Sequence, residues 1–214
     1  MICLYGGTFD PIHNGHLHAA RTVCDALQLN QLRLVLSARP SHREDTGASV
    51  EQRWEMLQLA CGSEPQLVAD DREIHRHGPS YTVETLEALR LAHPEQPIGW
   101  VIGWDAYRLL TSWYQWARVA ELTNLVVVHR PGHLSELDDD MLEFTRQRRV
   151  PALSGELSGS VVILEQQMLP VSAAEVRGLL LSGKTADHLL PGAVATYIRQ
   201  HNLYGVVSDP RSAE

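Results

Sequence analysis

Along this chain apolar residues occur in two arrangements, short near-continuous runs and longer stretches in which they recur every third or fourth position. The runs occupy 2–5, 32–36, 67–69, 98–102, 125–128 and 161–164, and turn formers or polar residues bound each of them, as expected of buried strands. Ile74 reads as an extension of the third run. Helical spacing appears from Gly15 through Leu17, Ala20, Val23, Cys24 and Leu27, and over 50–61 with Ser49 placed to cap. It recurs from Ser80 or Thr82 as cap, over 106–110 and 137–148, from Ser172, and over 191–201. Because strand and helix alternate, successive strands are joined through helices and pair in parallel with right-handed connections. The expected fold class is α/β, a Rossmann-like, doubly wound, mainly parallel sheet with helices on both faces and a small C-terminal helical elaboration. We expect one domain over 1–203, its helical C-terminal part at about 171–203, and a tail over 204–214.

At 214 residues the chain is long enough to bury a core without cross-links. Its three cysteines, Cys3, Cys24 and Cys61, are scattered and odd in number, which argues against a disulfide framework and a C-x-x-C zinc site. No basic stretch with an apolar core and cleavage site opens the sequence, and no apolar run approaches the roughly 18 residues that span a bilayer. The expectation is a cytoplasmic protein without membrane contact, either monomer or homo-oligomer. Lys and Arg number 18 against 26 Asp and Glu, a formal charge of −8 that disfavours nonspecific nucleic-acid binding through a basic face. A polyphosphate site must therefore gather positive potential locally, from a helix end, a few Arg and His, and a bound cation, for which Mg²⁺ is the natural candidate.

The densest chemistry lies between the first strand and the first helix, in Tyr5-Gly6-Gly7-Thr8-Phe9-Asp10-Pro11-Ile12-His13-Asn14-Gly15-His16. Gly6 and Gly7 lack Cβ, so the backbone there can approach a ligand closely or take positive φ. The helix that follows points unpaired N–H groups and a partial positive charge at whatever sits before it, which suits an anion. His13 and His16, three apart at that entrance, can donate ring N–H groups to one phosphate. They can equally cap the helix or bind a metal as a bare H-x-x-H.

The string over 6–16 resembles the signature of the (H/T)xGH nucleotidyltransferase superfamily. Within it the chain is similar to bacterial nicotinate-nucleotide adenylyltransferases. The likeness continues in order through Gly78-Pro79-Ser80-Tyr81-Thr82, Ile102-Gly103-Trp104-Asp105, Trp113-Tyr114, Arg130-Pro131-Gly132 and Val171-Ser172 to Arg177. It implies adenylyl transfer from ATP, with Mg²⁺, to nicotinate mononucleotide, giving deamido-NAD and pyrophosphate in NAD biosynthesis. On the matching positions it implies ATP and phosphate contacts from Gly6, Gly7, Thr8, Phe9, His13, His16, Gly103, Asp105, Ser172 and Arg177, with His13, His16 and Arg177 catalytic. Nicotinate mononucleotide is implied to meet Thr82, the backbone of Val83, the face of Trp113, the backbone of Tyr114, and Arg130. No residue is implied as a metal ligand. Two departures stand out: Ser41 replaces a usual proline before His42 and Arg43, and Ala173 and Ala174 replace hydroxyl-bearing residues beside Ser172.

Several positions also have plainer readings. His42 and Arg43 lie in a polar loop over 37–49 and suit a functional loop or simple solvation alike. Asp105 follows a strand at the edge where open α/β sheets bind ligands, and can accept from ribose hydroxyls or cap the helix over 106–110. Trp113, Tyr114 and Trp116 suit core packing or a platform for a flat ring. Arg177, one turn into a helix capped by Ser172, can fork onto a phosphate or brace the helix. A nucleotide monophosphate already carries an ionised oxygen, so attack on ATP needs positioning and charge neutralisation rather than a nucleophilic side chain. The competing readings are a different phosphate acceptor, nicotinamide mononucleotide or phosphopantetheine, and a noncatalytic nucleotide-binding module.

Overall fold

The computed structural model describes residues 1–40, 46–129, 137–165 and 169–206. In chain order its main elements are β1 (Ile2–Gly7), α1 (Asn14–Leu27), β2 (Leu32–Leu36), α2 (Val50–Cys61), β3 (Leu67–Asp70), α3 (Thr82–Ala92) and β4 (Ile98–Gly103). They continue through α4 (Trp104–Tyr107), α5 (Trp116–Leu122), β5 (Asn124–His129), α6 (Asp139–Arg148), β6 (Val161–Glu165), α7 (Ala173–Leu181) and α8 (Gly192–Gln200). The six apolar runs are the six strands, and they form one sheet in the order β3-β2-β1-β4-β5-β6 with every pairing parallel. A parallel sheet is covered on both faces, which is why its strands read as near-continuous apolar runs.

Two cores flank the sheet. One collects the buried residues of α1, α2, α7 and α8; the other collects those of α3, α5 and α6. Strand order reverses beside β1, whose neighbours are β2 and β4, so a crevice opens at the carboxyl ends of β1 and β4. Local signals explain most element ends. Ser49 Oγ accepts from the Gln52 amide at 3.2 Å while Gln52 Oε1 accepts from the Ser49 amide at 2.9 Å, a capping box that starts α2. Asp138 caps α6 and Ser172 caps α7, each through its side chain.

Some expectations fail for identifiable reasons. Ile74 does not extend β3. The strand stops at Asp70, whose carboxylate takes the backbone amide and side chain of Arg72, and the Ile74 amide closes a turn onto Asp71 O at 2.8 Å. Tyr204, which the sequence places in the tail, is buried within a short 3₁₀ turn, Leu203–Gly205. Gly6 and Gly7 are strand residues without positive φ; in this loop positive φ falls on Phe9, at 47°. Their missing side chains make room for aromatic rings, since a Cβ on Gly6 would stand 2.3 Å from Trp100 Cζ2 and one on Gly7 2.7 Å from the Phe9 ring.

Gly6→Ala is therefore expected to push Trp100 out of its place at a cost of about 1–3 kcal/mol. Trp100→Leu in the same chain should recover part of that loss, and a denaturant-unfolding double-mutant cycle measures it. Additive losses would show that Gly6 and Trp100 do not constrain each other.

Candidate active site

The first helix is capped by the motif itself. His13 is the N-cap residue of α1, and its Nδ1 accepts the His16 amide at 3.3 Å while His16 Nδ1 accepts the His13 amide at 3.3 Å. The two rings stack with centroids 3.7 Å apart, and Phe9 meets His16 edge-on at 5.1 Å. An Nδ1 that accepts a backbone N–H is unprotonated, so each neutral imidazole carries its hydrogen on Nε2 and remains a donor there. Capping thus occupies one nitrogen of each ring and leaves the other as a donor. Burial lowers His13 to about 4; burial, then the neighbouring His13, lowers His16.

Asp10 and two arginines fix the backbone between β1 and α1. The Asp10 carboxylate is buried and accepts the amides of Gly47 at 2.8 Å and Ala48 at 3.2 Å and the Tyr204 hydroxyl at 2.7 Å. Burial, then the Asp10 charge, pushes the Tyr204 hydroxyl pKa up, so it stays a donor. Arg177 Nη1 donates to Asp10 O at 2.6 Å and stands 3.8 Å from the Asp10 carboxylate, so the bracing role is realised, with the loop before α1 as its partner. From α2, buried Arg53 donates to Thr8 O, Ser37 O and Ala38 O. Gly15 closes the assembly, since a Cβ there would stand 3.3 Å from Val171 O, in the segment leading into α7.

The acceptor-side candidates lie across the sheet edge. A cavity of ≈ 550 Å³ is lined by Gly6, Gly7, Thr8, Ser37, Glu73, Ser80, Tyr81, Thr82, Asp105, Trp113 and Tyr114, among others. The helix start at its wall differs from the expectation: Tyr81 is the N-cap of α3, and no side chain caps it. Ser80 Oγ instead accepts the Arg39 amide at 3.0 Å, and among the described residues no side chain caps the first amides of α3. Behind them Glu73 accepts from Thr85 Oγ1 at 2.6 Å and Arg76 donates to Tyr81 O at 3.2 Å. The Tyr81 and Tyr114 rings meet tilted by 33°, centroids 4.5 Å apart, beside half-buried Trp113. Val83 points its side chain into the core and Trp116 packs edge-on against Phe144. Asp105 is exposed and is the second residue of α4; it is not its cap, because the extended Gly103 occupies that position.

The predicted residues thus form two groups on opposite sides of one strand end. His13, His16, Ser172 and Arg177 belong to elements packed on the first core, and Thr82, Asp105, Trp113 and Tyr114 to elements packed on the second, with Gly6, Gly7 and Thr8 between them. Arg130, His42 and Arg43 lie outside the described residues. Asp10, Arg53 and Tyr204 were not singled out by sequence. Arg53 had a signal, a charged residue three and four positions before Met56 and Leu57 on the apolar face of α2. Among the described residues no group of three or more His, Cys, Asp or Glu could hold a metal. With Asp10 committed to its own donors, this donor set fits a Mg²⁺ carried by substrate phosphates and water rather than a protein cage.

The two histidines set a pH dependence. Because the folded chain binds these protons less readily than the unfolded one, stability is full above about 6.5 and falls as pH drops toward about 4, His13's folded value. His13→Asn keeps a strong N-cap and does not titrate there, so it should flatten this decline in urea unfolding. An unaltered slope would remove His13 as its source.

Comparisons with known proteins bear on the family and the fold. A family described as cytidylyltransferase-like matches residues 4–179. A protein of Hydrogenovibrio crunogenus named "Probable nicotinate-nucleotide adenylyltransferase" is 41% identical over 204 residues, covering 95% of this chain and 97% of that one. A Pseudomonas fluorescens protein of the same name is 42% identical over 208 residues, covering 95% and 96%. In fold, the chain is similar to Plasmodium falciparum nicotinic acid mononucleotide adenylyltransferase complexed with NaAD, with a TM-score of 0.75 at 17% identity over 97% of this chain and 98% of that one. By sequence along nearly its whole length, and by a fold whose strand-end crevice holds the histidine motif, the chain belongs to the nicotinate-nucleotide adenylyltransferase family of cytidylyltransferase-like proteins.

Proposed function

We propose that the chain transfers the adenylyl group of ATP to the phosphate of nicotinate mononucleotide, forming deamido-NAD and releasing pyrophosphate. The observation that carries this reading is the cavity joining Gly6, Gly7 and Thr8, next to the histidine pair, with the open start of α3 and the Trp113-Tyr114 pair. One end suits a polyphosphate and the other a flat ring bearing a carboxylate. A phosphate oxygen of the acceptor attacks the α-phosphorus of ATP, the bond to the bridging oxygen breaks, and pyrophosphate leaves with that electron pair. The developing charge faces two Nε2–H donors that are uncharged at rest, the N-terminus of α1 and Arg177. Mg²⁺, bound with ATP, neutralises charge on the phosphates. Thr8 and Phe9 offer backbone to the phosphates, Ser172 keeps its hydroxyl hydrogen free of its capping role, and Asp105 is exposed to accept ribose hydroxyls.

At the other end Trp113 supplies a face for the pyridine ring, while the amides at the start of α3, Val83 among them, and that of Tyr114 supply donors to its substituent. Donors favour a carboxylate, which only accepts, over the amide of nicotinamide, whose NH₂ would face another N–H. An opposed polar group costs about 1–3 kcal/mol, so kcat/KM for the acid should exceed that for the amide by roughly tenfold to a hundredfold. Trp113→Ala should weaken both acceptors and leave much of that ratio. Pyrophosphate release with each acceptor measures this, and equal efficiencies in the unmodified chain would defeat the acid-specific reading.

Arg177→Lys tests the phosphate end. An ammonium cannot both hold Asp10 O and present a planar fork to a phosphate, so kcat/KM for ATP should fall by the worth of a charge-assisted hydrogen bond, about 1.5–3 kcal/mol. Normal turnover in the Lys variant would leave Arg177 as a brace alone.

A further inference from the structure

Arg53 is the largest of the fully buried side chains among the described residues, with 1% of its surface exposed. Enclosing a guanidinium is costly unless its hydrogens are placed. Here Nη1 donates to Thr8 O at 2.9 Å and Ser37 O at 2.8 Å, and Nη2 to Ala38 O at 2.8 Å. These carbonyls belong to the first residue after β1 and the first two after β2, so one planar fork gathers both strand ends at the crevice. A lysine ammonium, a point charge on a flexible stem, does not reproduce that fork.

The carbonyl of Thr8 and the amide of Phe9 are the two halves of one trans peptide, and a planar trans peptide holds its C=O and N–H on opposite sides. Drawing Thr8 O toward α2 therefore turns the Phe9 N–H away from α2. That N–H meets no acceptor among the described residues, and Phe9 itself is held at a φ of 47°. Two residues on, Arg177 fixes Asp10 O from α7 at 2.6 Å, so the peptide before Phe9 and the peptide after Asp10 are anchored by arginines from different helices. We propose that Arg53 is a positioning residue for adenylyl transfer, one that aims the Phe9 amide at the polyphosphate without touching it. This rests on the reading of the histidine loop as the ATP phosphate site.

Phe9 and Phe144 are the two phenylalanines of the chain, so ¹⁵N-phenylalanine labelling yields two amide resonances, told apart with Phe144→Leu. ATP with Mg²⁺, added without acceptor, is expected to move the Phe9 resonance and leave that of Phe144. In Arg53→Lys the Phe9 response should be largely lost, and kcat should fall roughly 100-fold while KM for nicotinate mononucleotide stays within about twofold. A Phe9 resonance unmoved by ATP, in unmodified protein that releases pyrophosphate, overturns the proposal. So does an Arg53→Lys variant whose melting temperature and both KM values worsen while Phe9 still responds, because that is the signature of a brace for the fold. If the Lys variant does not fold, the Phe9 response of the unmodified protein decides. Unmodified protein that releases no pyrophosphate from ATP and nicotinate mononucleotide overturns the functional reading instead.

Discussion

The buried carboxylate of Asp10 fixes three segments that are remote in sequence. It accepts two amides from the loop after β2 and the hydroxyl of Tyr204 from the end of the fold, and Arg177 reaches the same residue from α7. A carboxylate this deep is tolerable only when donors surround it, and taking one partner from a buried ionic group typically costs about 3–5 kcal/mol. Sterics reinforce the arrangement, since a Cβ on Gly47 would lie 2.8 Å from the Tyr204 ring. The loop that carries the histidines therefore has its position settled by contacts behind it, which leaves its front surface uncommitted to those contacts.

That front surface solves an electrostatic problem in an acidic chain. With a formal charge of −8 the molecule as a whole repels nucleotides, yet the histidine pair is uncharged at rest. On the function proposed above, attraction would come from directed dipoles, those of two Nε2–H groups and the first turn of α1, and from the cation of Arg177. Neutral donors have a further merit, because two charged imidazoles stacked at 3.7 Å would repel each other and give up the Nδ1 positions that cap α1. The same rings thus serve the fold through Nδ1, and the proposed function assigns the substrate to Nε2.

The fold was legible because a parallel sheet buried on both faces writes itself as apolar runs, and because caps such as Ser49 and Ser172 are local. The histidine motif was legible as a site for the same reason, since cap, helix start and ring donors fall within a few positions. Long-range polar geometry was not. Nothing near Tyr204 announces a partner at Asp10, and nothing near Ser80 shows that its hydroxyl serves Arg39 and leaves α3 open. Gly6 and Gly7 were recognised as necessary, but the reason, the Trp100 and Phe9 rings, requires the neighbouring strand and the returning loop.

The bond between Tyr204 and Asp10 spans 194 positions, and that between Arg177 and Asp10 spans 167. Contacts so distant close late, after the intervening chain has been ordered. During vectorial synthesis the nascent polypeptide displays its entire histidine motif while the groups that immobilise the loop have yet to be translated. The earliest moment at which a ribosome-bound copy could hold the loop in its finished shape is therefore set by emergence of the turn at 203–205, so incomplete copies carry the motif without the full set of contacts that hold it.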